Sequence, residues 1–261
     1  MTNPDSDYYR AVDLWHEQRL SDLMAEDGWL HLTDRVELEP GQYTLGSGPG
    51  NDLQISSGPD HLGDLHLGAD GQAMLTVDGQ TLAFAPTPEA PPRLQVADLL
   101  LEMMRIEGQH ALRVRDLRLP RKVKISRFPV DPAWCITARW DVLAAPQQLG
   151  IDLVGGIATS VAVSHRASFS HQGSAVTLLP THWKGGNPMF VFRDATSGRQ
   201  TYGASRFLIG QVQGDTVVLD FNRAFNPPCA FTEFAVCPLP PRENILSFAI
   251  PAGELRPGAV L

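Results

Sequence analysis

Apolar positions repeat at helical spacing only near the start of the chain. Between residues 6 and 26, five side chains recur at intervals of three or four, which places them on one helical face: Tyr8, Val12, Trp15, Arg19 and Leu23. We therefore predict a helix over residues 6–26 that packs its apolar stripe on a sheet, with Arg19 as the polar exception. Ser6 is the expected N-cap, and Gly28 is the expected left-handed residue after the helix.

Beyond Gly28 the pattern changes to short alternating or apolar runs, which are typical of β-strands. Strands are predicted at 29–38, 41–46, 62–67, 73–77, 80–84, 99–106 and 109–114. The two-residue links Asp78-Gly79 and Glu107-Gly108 predict tight hairpins. Alternation predicts a further strand whose core-facing positions are Trp134, Ile136, Ala138 and Trp140. Strand should exceed helix by about twofold or more.

These elements predict a mainly β fold, in which the N-terminal helix packs on a β-sandwich that continues into a second β-sheet or barrel half. We divide the chain into the helix (1–28), a first β half (29–119) and a C-terminal β half (120–261). The boundary is expected near Leu119-Pro120. A surface loop is predicted at Pro86, Pro88, Pro91 and Pro92, and a second irregular stretch at 144–156.

Composition narrows the classes of function. The chain has 261 residues, of which 43% are hydrophobic, so it can bury a sizeable core. Its net charge of −8 argues against nucleic acid and anionic membranes as partners, and the densest basic cluster, at 113–127, is expected to be a solvated strand face. We expect no membrane span and no export signal, hence a cytoplasmic protein whose cysteines are reduced.

The segment 220–231 concentrates polar side chains on a stiff loop. Asp220, Asn222, Asn226 and Cys229 lie within ten residues, and Pro227-Pro228 restricts the backbone there. Such a loop, flanked by aromatic residues, suits a small-molecule pocket. The alternative is a turn that is capped by its own Asn and Asp side chains.

Several motifs in the second half resemble those of the DUF1684 family. They are Asp194-Ala-Thr-Ser-Gly-Arg-Gln-Thr-Tyr-Gly203, Arg206-Phe-Leu208, the run from Asp220 to Phe231, Cys237-Pro-Leu-Pro-Pro241, Glu243-Asn244 and Ala252-Gly-Glu254. Earlier segments are also similar: Asp27-Gly-Trp-Leu30, Pro40-Gly41, Gly46-Ser47, Asn51-Asp52 and Phe128-Pro-Val-Asp-Pro132. The resemblance spans nearly the whole chain and is most specific over 189–254. It implies no particular reaction.

The first β half also resembles the opening of a forkhead-associated domain, at 41–47 and 51–55. Those domains hold phosphothreonine through an Arg at the position of Ser47. Since the charge-assisted donor is replaced here, the resemblance implies a similar sandwich without phosphopeptide binding.

Several residues of the C-terminal half are candidates for chemistry. Asp194 and 196–198 predict a tight turn. Tyr202 and Arg206 should share one face of an extended segment, and a hairpin turn at 214–215 should bring Arg206 level with Asp220 and Asn222. Arg206 either binds a substrate carboxylate or phosphate, or pairs with Asp220 or Glu254. The catalytic candidates are Asp220, Tyr202, Arg206 and Glu254; the ligand-binding candidates are Asn222, Asn226, Cys229, Asp194 and Trp183.

The sequence leaves two possible roles open for the cysteines of this half and for Trp183. Cys229 is predicted to be an ordinary small buried thiol rather than a nucleophile, because no histidine lies near it in sequence. Cys229 and Cys237 are close enough in sequence to bridge in an oxidising environment. Trp183, between His182 and Lys184, either covers a pocket or lies at a hairpin tip.

The remaining motifs exclude several kinds of chemistry. The eight histidines form no metal-ligand spacing, and nucleotide-binding loops and a nucleophile elbow are absent from the sequence, so no metal or cofactor is expected. We predict a cytoplasmic small-molecule-binding protein with its pocket in the C-terminal β half. Such a protein could also process the metabolite, as an enzyme of cyclase, isomerase or hydrolase type. The sequence leaves open whether it forms a homodimer. The alternative is a non-catalytic β-sandwich protein-interaction module.

Overall fold

The computed structural model describes residues 4–85, 91–119 and 122–258. Pro86, Pro88 and Pro120 of the predicted loop and boundary lie outside the described residues. The chain divides into two compact units. The N-terminal unit contains Leu23–Lys122, and the C-terminal unit contains Met1–Asp22 together with Val123–Leu261.

The single α-helix of the described residues, α1, spans Pro4–Leu23. It begins before the predicted cap Ser6, because the fixed φ and missing N–H of proline suit the first turn of a helix. The helix ends at Leu23. The prediction that Gly28 would adopt a left-handed conformation is wrong. Gly28 has φ −68° and ψ 172°, and its N–H donates to Ala25 O at 2.8 Å, so a turn follows the helix instead of a glycine cap.

Helix α1 packs on the C-terminal unit, whereas the prediction placed it on the first β half. The Trp15 ring lies 6.3 Å from that of Phe225. The Arg19 guanidinium lies 4.8 Å above the Phe225 ring, and its Nη2 donates to Asn226 O at 2.9 Å. Arg19, the polar residue of the predicted stripe, therefore has partners in the C-terminal unit, and these contacts help to hold the helix there.

The N-terminal unit is a sandwich of nine strands. They are β1 (Leu32–Leu38), β2 (Gly41–Gly46), β3 (Leu53–Gln54), β4 (Gly63–Leu67), β5 (Ala73–Val77), β6 (Gln80–Ala83), β7 (Arg93–Val96), β8 (Leu99–Ile106) and β9 (Gln109–Asp116). One sheet has the order β1-β9-β8-β7 and the other β3-β2-β4-β5-β6. Leu45, Leu65 and Leu75 of one sheet share a core with Leu101 and Leu112 of the other. The likeness to a forkhead-associated domain stays a prediction.

Both hairpins predicted in this unit are confirmed. Asp78 and Gly79 have φ of 47° and 79°, and they join β5 to β6. Glu107 and Gly108 have φ of 48° and 87°, and they join β8 to β9. Two positive φ angles in a two-residue loop match the twist of the flanking strands.

The part of the basic cluster that lies in β9 is not the solvated face that was predicted, whereas Arg118, Lys122 and Lys124 beyond it are exposed. Arg113 and Arg115 of β9 are buried, and Arg113 Nη1 lies 3.1 Å from Glu102 Oε1. Arg115 Nη1 lies 3.4 Å from Glu102 Oε2, and Arg93 Nε lies 2.9 Å from the same oxygen. Since a buried charge is costly unless it is paired, Glu102 explains why these arginines face inward.

The C-terminal unit adds eight strands. They are β10 (Cys135–Asp152), β11 (Ala158–His171), β12 (Ser174–Leu178), β13 (His182–Lys184), β14 (Asn187–Phe192), β15 (Arg206–Ile209), β16 (Gln211–Gln213) and β17 (Thr216–Asp220). One sheet has the order β12-β11-β10-β17-β16, and the other the order β13-β14-β15. Phe190, Phe192 and Leu208 of the smaller sheet pack with Ala138 and Trp140 of the larger one. The predicted alternation from Trp134 to Trp140 is therefore confirmed.

Strand β10 runs through most of the stretch that was predicted to be irregular, from residue 144 to 152. Its pairing with β11 shifts from Val142↔His165 to Gln147↔Val163. This irregularity accommodates Pro146, which has no N–H for the ladder and is tolerated at a bulge. Pairing then continues to Asp152↔Ala158, so the ribbon is interrupted without ending.

The mainly β fold with one N-terminal helix is confirmed. Strands β10 and β11 alone contain 18 and 14 residues, compared with 20 in α1. Among the described residues, no helix has the length and apolar character that crossing a bilayer requires.

Candidate functional site

Eight of the nine predicted site residues lie in four contact clusters of the C-terminal unit rather than around one pocket. Strand β15 pairs with β14, so Arg206 lies opposite Phe192. The prediction that the 214–215 turn would bring Arg206 level with Asp220 is wrong. That turn joins β16 to β17, and β15 belongs to the other sheet.

The first cluster is a buried ion pair between Arg206 and Asp194. Arg206 Nη2 lies 3.3 Å from Asp194 Oδ1 and donates to Ile250 O at 3.1 Å, and Nη1 donates to Ala252 O. Asp194 also accepts from Thr196 Oγ1 at 2.8 Å and from the Ile250 N–H at 2.6 Å. The ion partner of Arg206 is thus Asp194, not Asp220 or Glu254 as predicted. Both side chains are occupied, so neither is available to a ligand.

The second cluster joins Asp220 and Asn222 to the helix. Tyr8 Oη donates to Asp220 Oδ1 at 2.8 Å. Asn222 Nδ2 donates to Tyr8 Oη and to Asp131 O, both at 2.9 Å, and its Oδ1 accepts from the Asp131 N–H at 3.0 Å. Burial, and then the hydrogen bond to Asp220, raise the pKa of Tyr8 above its ordinary value. Sequence reasoning did not select Tyr8 for this cluster, because the contact spans 212 positions of the chain.

The third cluster contains Asn226, Glu254 and Arg19. Glu254 Oε2 accepts from the Asn226 N–H at 2.7 Å and from its Nδ2 at 3.0 Å, and Arg19 Nε lies 3.4 Å from Oε1. Gly253 permits this approach, because it has φ +81° and an added Cβ would lie 2.5 Å from Ala224 O. Asn226 and Glu254 are buried, so this cluster fixes the backbone around the segment 224–226.

The fourth cluster contains Tyr202, Cys229 and Cys237. Tyr202 Oη donates to Cys229 O at 2.9 Å, and the Cys229 N–H donates to Cys237 Sγ at 3.2 Å. A hydrogen bond from the Cys237 thiol, and a weaker one from Tyr202, lower the pKa of Cys229 to about 7. This lowered pKa departs from that of an ordinary thiol, and its causes are two neutral donors rather than a histidine. The chemical role of Cys229 stays a prediction. Cys229 is half-buried, and none of Cys135, Cys229 and Cys237 is in a disulfide.

Trp183 belongs to none of these clusters. It lies on the hairpin of β13 and β14, whose turn residues Gly185 and Gly186 have φ of 55° and 77°. Its side chain is 54% exposed and contacts Trp140 edge-on, with ring centroids 6.4 Å apart. The geometry matches the hairpin-tip interpretation.

A cavity of about 410 Å³ lies elsewhere in the C-terminal unit, between the β11–β12 hairpin and the segment 243–248. The His171 ring stacks on Phe248 at 4.3 Å and on Trp134 at 5.2 Å. The polar side chains along the cavity are Gln172, Ser174, Thr177, Glu243 and Ser247. Sequence reasoning did not select this cavity, although two of its residues had drawn attention. Glu243 is in a family motif, and His171 was considered, but only as a metal ligand. Within the described residues, no group of three or more His, Cys, Asp or Glu side chains could hold a metal ion.

The N-terminal unit has a larger cavity of about 590 Å³, which is lined by loops and by Arg118. The charges near it pair with each other: Arg118 lies 4.0 Å from Asp98 and 2.9 Å from Asp116. Most of the lining of this cavity is apolar, whereas most of the lining of the cavity at His171 is polar.

Comparison with curated proteins gives no match. Among solved structures, the chain is similar to the solution structure of an uncharacterised protein from gene locus rrnAC0354 of Haloarcula marismortui. The two are 29% identical, the match covers 50% of this chain and 75% of that one, and the TM-score is 0.42. The family model described as a protein of unknown function, DUF1684, matches residues 123–255, which is just over half of the sequence, and the chain therefore belongs to the DUF1684 family.

Proposed function

We propose that the chain binds a small polar metabolite in the cavity at His171. The observation that carries this proposal is that an imidazole, held between two aromatic rings, lies at the wall of a cavity of about 410 Å³. Ligand sites commonly have volumes of about 300–1,000 Å³, so the size suits a metabolite. Stacking on Trp134 and Phe248 restricts the orientation of the ring before a ligand arrives, which lowers the entropic cost of binding.

The lining groups indicate the chemical class of the ligand. Glu243 supplies a carboxylate, and Ser174, Thr177 and Ser247 supply hydroxyl groups. The described residues that line this cavity include no Arg or Lys, so an anionic ligand would have neither of the usual bidentate or ammonium partners. A neutral or cationic molecule with hydroxyl or amino groups fits this set best.

If the bound molecule is also processed, His171 and Glu243 are the groups suited to move a proton. Both are at the cavity wall, and imidazole and carboxylate groups are common general acids and bases. The predicted catalytic residues Asp220, Arg206 and Glu254 are buried among protein partners instead. A metabolite-processing role would therefore rest on residues other than those predicted.

Native mass spectrometry of the protein purified from cells tests the proposal. We expect wild type to retain a small molecule at one per chain. Ser247→Trp should lose it, because the indole would fill the cavity that the exposed Ser247 borders. Ser160→Trp is the matched control, because Ser160 is an exposed serine of β11 that does not line the cavity.

Equal retention by Ser247→Trp and Ser160→Trp would contradict binding in this cavity. A stoichiometric protein bound to wild type, with no small molecule, would instead favour the alternative class, a non-catalytic β-sandwich interaction module.

A further inference from the structure

We propose that Cys229 and Cys237 are a redox-active pair that reacts with a peroxide and closes reversibly into an intramolecular disulfide. The geometry that supports this is direct contact: the Cys229 N–H donates to Cys237 Sγ at 3.2 Å, and the two thiols are hydrogen-bonded to each other. A disulfide requires the sulfurs to approach to about 2.05 Å, and two thiols that share a hydrogen bond are already neighbours before they react.

The two cysteines have different surroundings, and each suits a different role. Cys229 is half-buried and is therefore the member of the pair that is more accessible to a small oxidant. It lies in a short 3-10 turn, Pro228–Ala230, which is followed by irregular backbone at 231–236. Cys237 is buried. We therefore assign the first attack to Cys229 and the resolving step to Cys237.

The backbone around Cys237 is held in place by the end of the β10–β11 ribbon. The Val154 N–H donates to Cys237 O at 2.8 Å, and the Leu239 N–H donates to Asp152 O at 2.8 Å. Leu153 and Pro238 also form a β-bridge between these contacts. The movement that closes the disulfide is therefore assigned to the segment 229–236, while Cys237 stays fixed.

Tyr202 stabilises the reactive form of Cys229. Its hydroxyl donates to Cys229 O at 2.9 Å, and it is close enough to the sulfur to donate there instead when Cys229 is a thiolate. The Cys237 thiol is the other donor, and together they lower the pKa of Cys229 to about 7. Because the thiolate is the nucleophile, a large share of Cys229 is reactive near neutral pH.

The chemistry balances with a peroxide as the two-electron oxidant. The Cys229 thiolate attacks one peroxide oxygen, the O–O bond breaks, and the products are a sulfenic acid at Cys229 and hydroxide, or alkoxide from an alkyl peroxide. The Cys237 sulfur then attacks the sulfenic sulfur, an S–S bond forms, and the hydroxyl leaves as water with the Cys237 proton. A dithiol reductant restores both thiols by exchange through a mixed disulfide.

The chain contains its own control for this reactivity. Cys135 is also half-buried, but burial and the neighbouring Asp220 carboxylate raise its pKa above the ordinary value of 9.0. With hydrogen peroxide at pH 7.5, we expect Cys229 to react at least about tenfold faster than Cys135, because far less of Cys135 is thiolate.

Peptide mapping of the reduced wild-type chain after one equivalent of hydrogen peroxide tests the proposal. We expect a disulfide between Cys229 and Cys237, free Cys135, and full reversal by dithiothreitol. Cys135→Ser should behave as wild type. Cys237→Ser should accumulate a sulfenic acid at Cys229 that dimedone traps, and Cys229→Ser should form neither product.

Three results would overturn the pairing: disulfides only between chains, oxidation of Cys135 as fast as that of Cys229, or over-oxidation of Cys229 with Cys237 still free. The wild-type map is sufficient for each of these, so a serine variant that fails to fold does not affect the test.

Discussion

Replacement of Asn222 by alanine tests whether the polar motif of residues 220–226 supports the fold or binds a ligand. The Asn222 side chain is buried and makes hydrogen bonds from both of its polar atoms. It connects α1, through Tyr8, with both backbone groups of Asp131. We expect Asn222→Ala to destabilise the C-terminal unit, because alanine cannot replace any of these bonds.

The magnitude follows from the groups that lose a partner. Tyr8 Oη keeps its bond to Asp220, so its loss is small. The N–H and C=O of Asp131 both lose the carboxamide, and an unsatisfied buried group costs about 1–3 kcal/mol. Because the Asp131 side chain is exposed, water can reach part of this site, and we expect a total of about 2–4 kcal/mol. For a protein of this size, that corresponds to a decrease in Tm of about 4–16 °C.

Differential scanning calorimetry of the whole chain is the appropriate assay, since two compact units can unfold in separate transitions. Asn187→Ala is the matched control. Asn187 donates a single hydrogen bond, to Gly185 O at 3.3 Å, in the β13–β14 turn, so its loss should cost less than about 0.5 kcal/mol. If Asn222→Ala melted within a degree of Asn187→Ala, the carboxamide would not support the fold, and a ligand-binding role would become the better explanation.

Three further changes test individual contacts. Gly253→Ala should lower the melting temperature clearly more than Gly258→Ala does. Both glycines have positive φ, but only a Cβ at 253 would lie closer than 3.0 Å to backbone atoms. Equal melting temperatures of the two variants would refute the close approach. Arg206→Met should cost about 3–5 kcal/mol in urea denaturation, because it leaves a buried carboxylate unpaired; a change below about 1 kcal/mol would contradict the ion pair. The rate of alkylation of Cys229 should rise with pH and reach half of its maximum near pH 7, whereas that of Cys135 should reach half of its maximum above pH 9. A common midpoint for the two residues would show that the hydrogen bonds at Cys229 do not stabilise its thiolate.

Local features of the chain could be predicted from sequence because neighbouring residues determine them. The turns at 78–79 and 107–108 are examples, since two residues with positive φ define the hairpin whatever the rest of the chain does. The alternation from Trp134 to Trp140 is another, because one face of that strand is buried. The partner of β15 could not be predicted in this way.

The error at β15 has a specific cause at Gly210. Strands β15 and β16 are separated by this single residue, yet they belong to different sheets. A Cβ at 210 would lie 2.7 Å from the Val217 side chain, so only glycine lets the chain pass between the sheets there. Sequence reasoning treated the segment from Arg206 to Gln213 as one hairpin arm, and it therefore assigned Arg206 to the wrong neighbours.

The backbone of residues 221–258 explains why so many polar side chains lie in the family motifs. This segment contains three 3-10 turns and isolated bridges, but no named strand, so few of its backbone groups are satisfied by a sheet. Buried N–H and C=O groups still require partners. Arg206 donates to Ile250 O and Ala252 O of this segment, and Asn226 Nδ2 donates to Leu255 O at 2.8 Å.

The polar side chains of the C-terminal unit fall into two groups: those that hold the backbone in place and those that could bind or react with a small molecule. The polar atoms of Asn222, Asn226, Asn244 and Arg206 bond mainly to main-chain groups, so their spacing in the sequence reflects an irregular backbone that must be buried. The Cys237 thiol accepts one backbone N–H, that of Cys229, and the two thiols are in hydrogen-bonding contact with each other. The cavity at His171 likewise presents carboxylate and hydroxyl groups to a space rather than to backbone. Chemistry should therefore be sought at these two places, and loss of stability at the others.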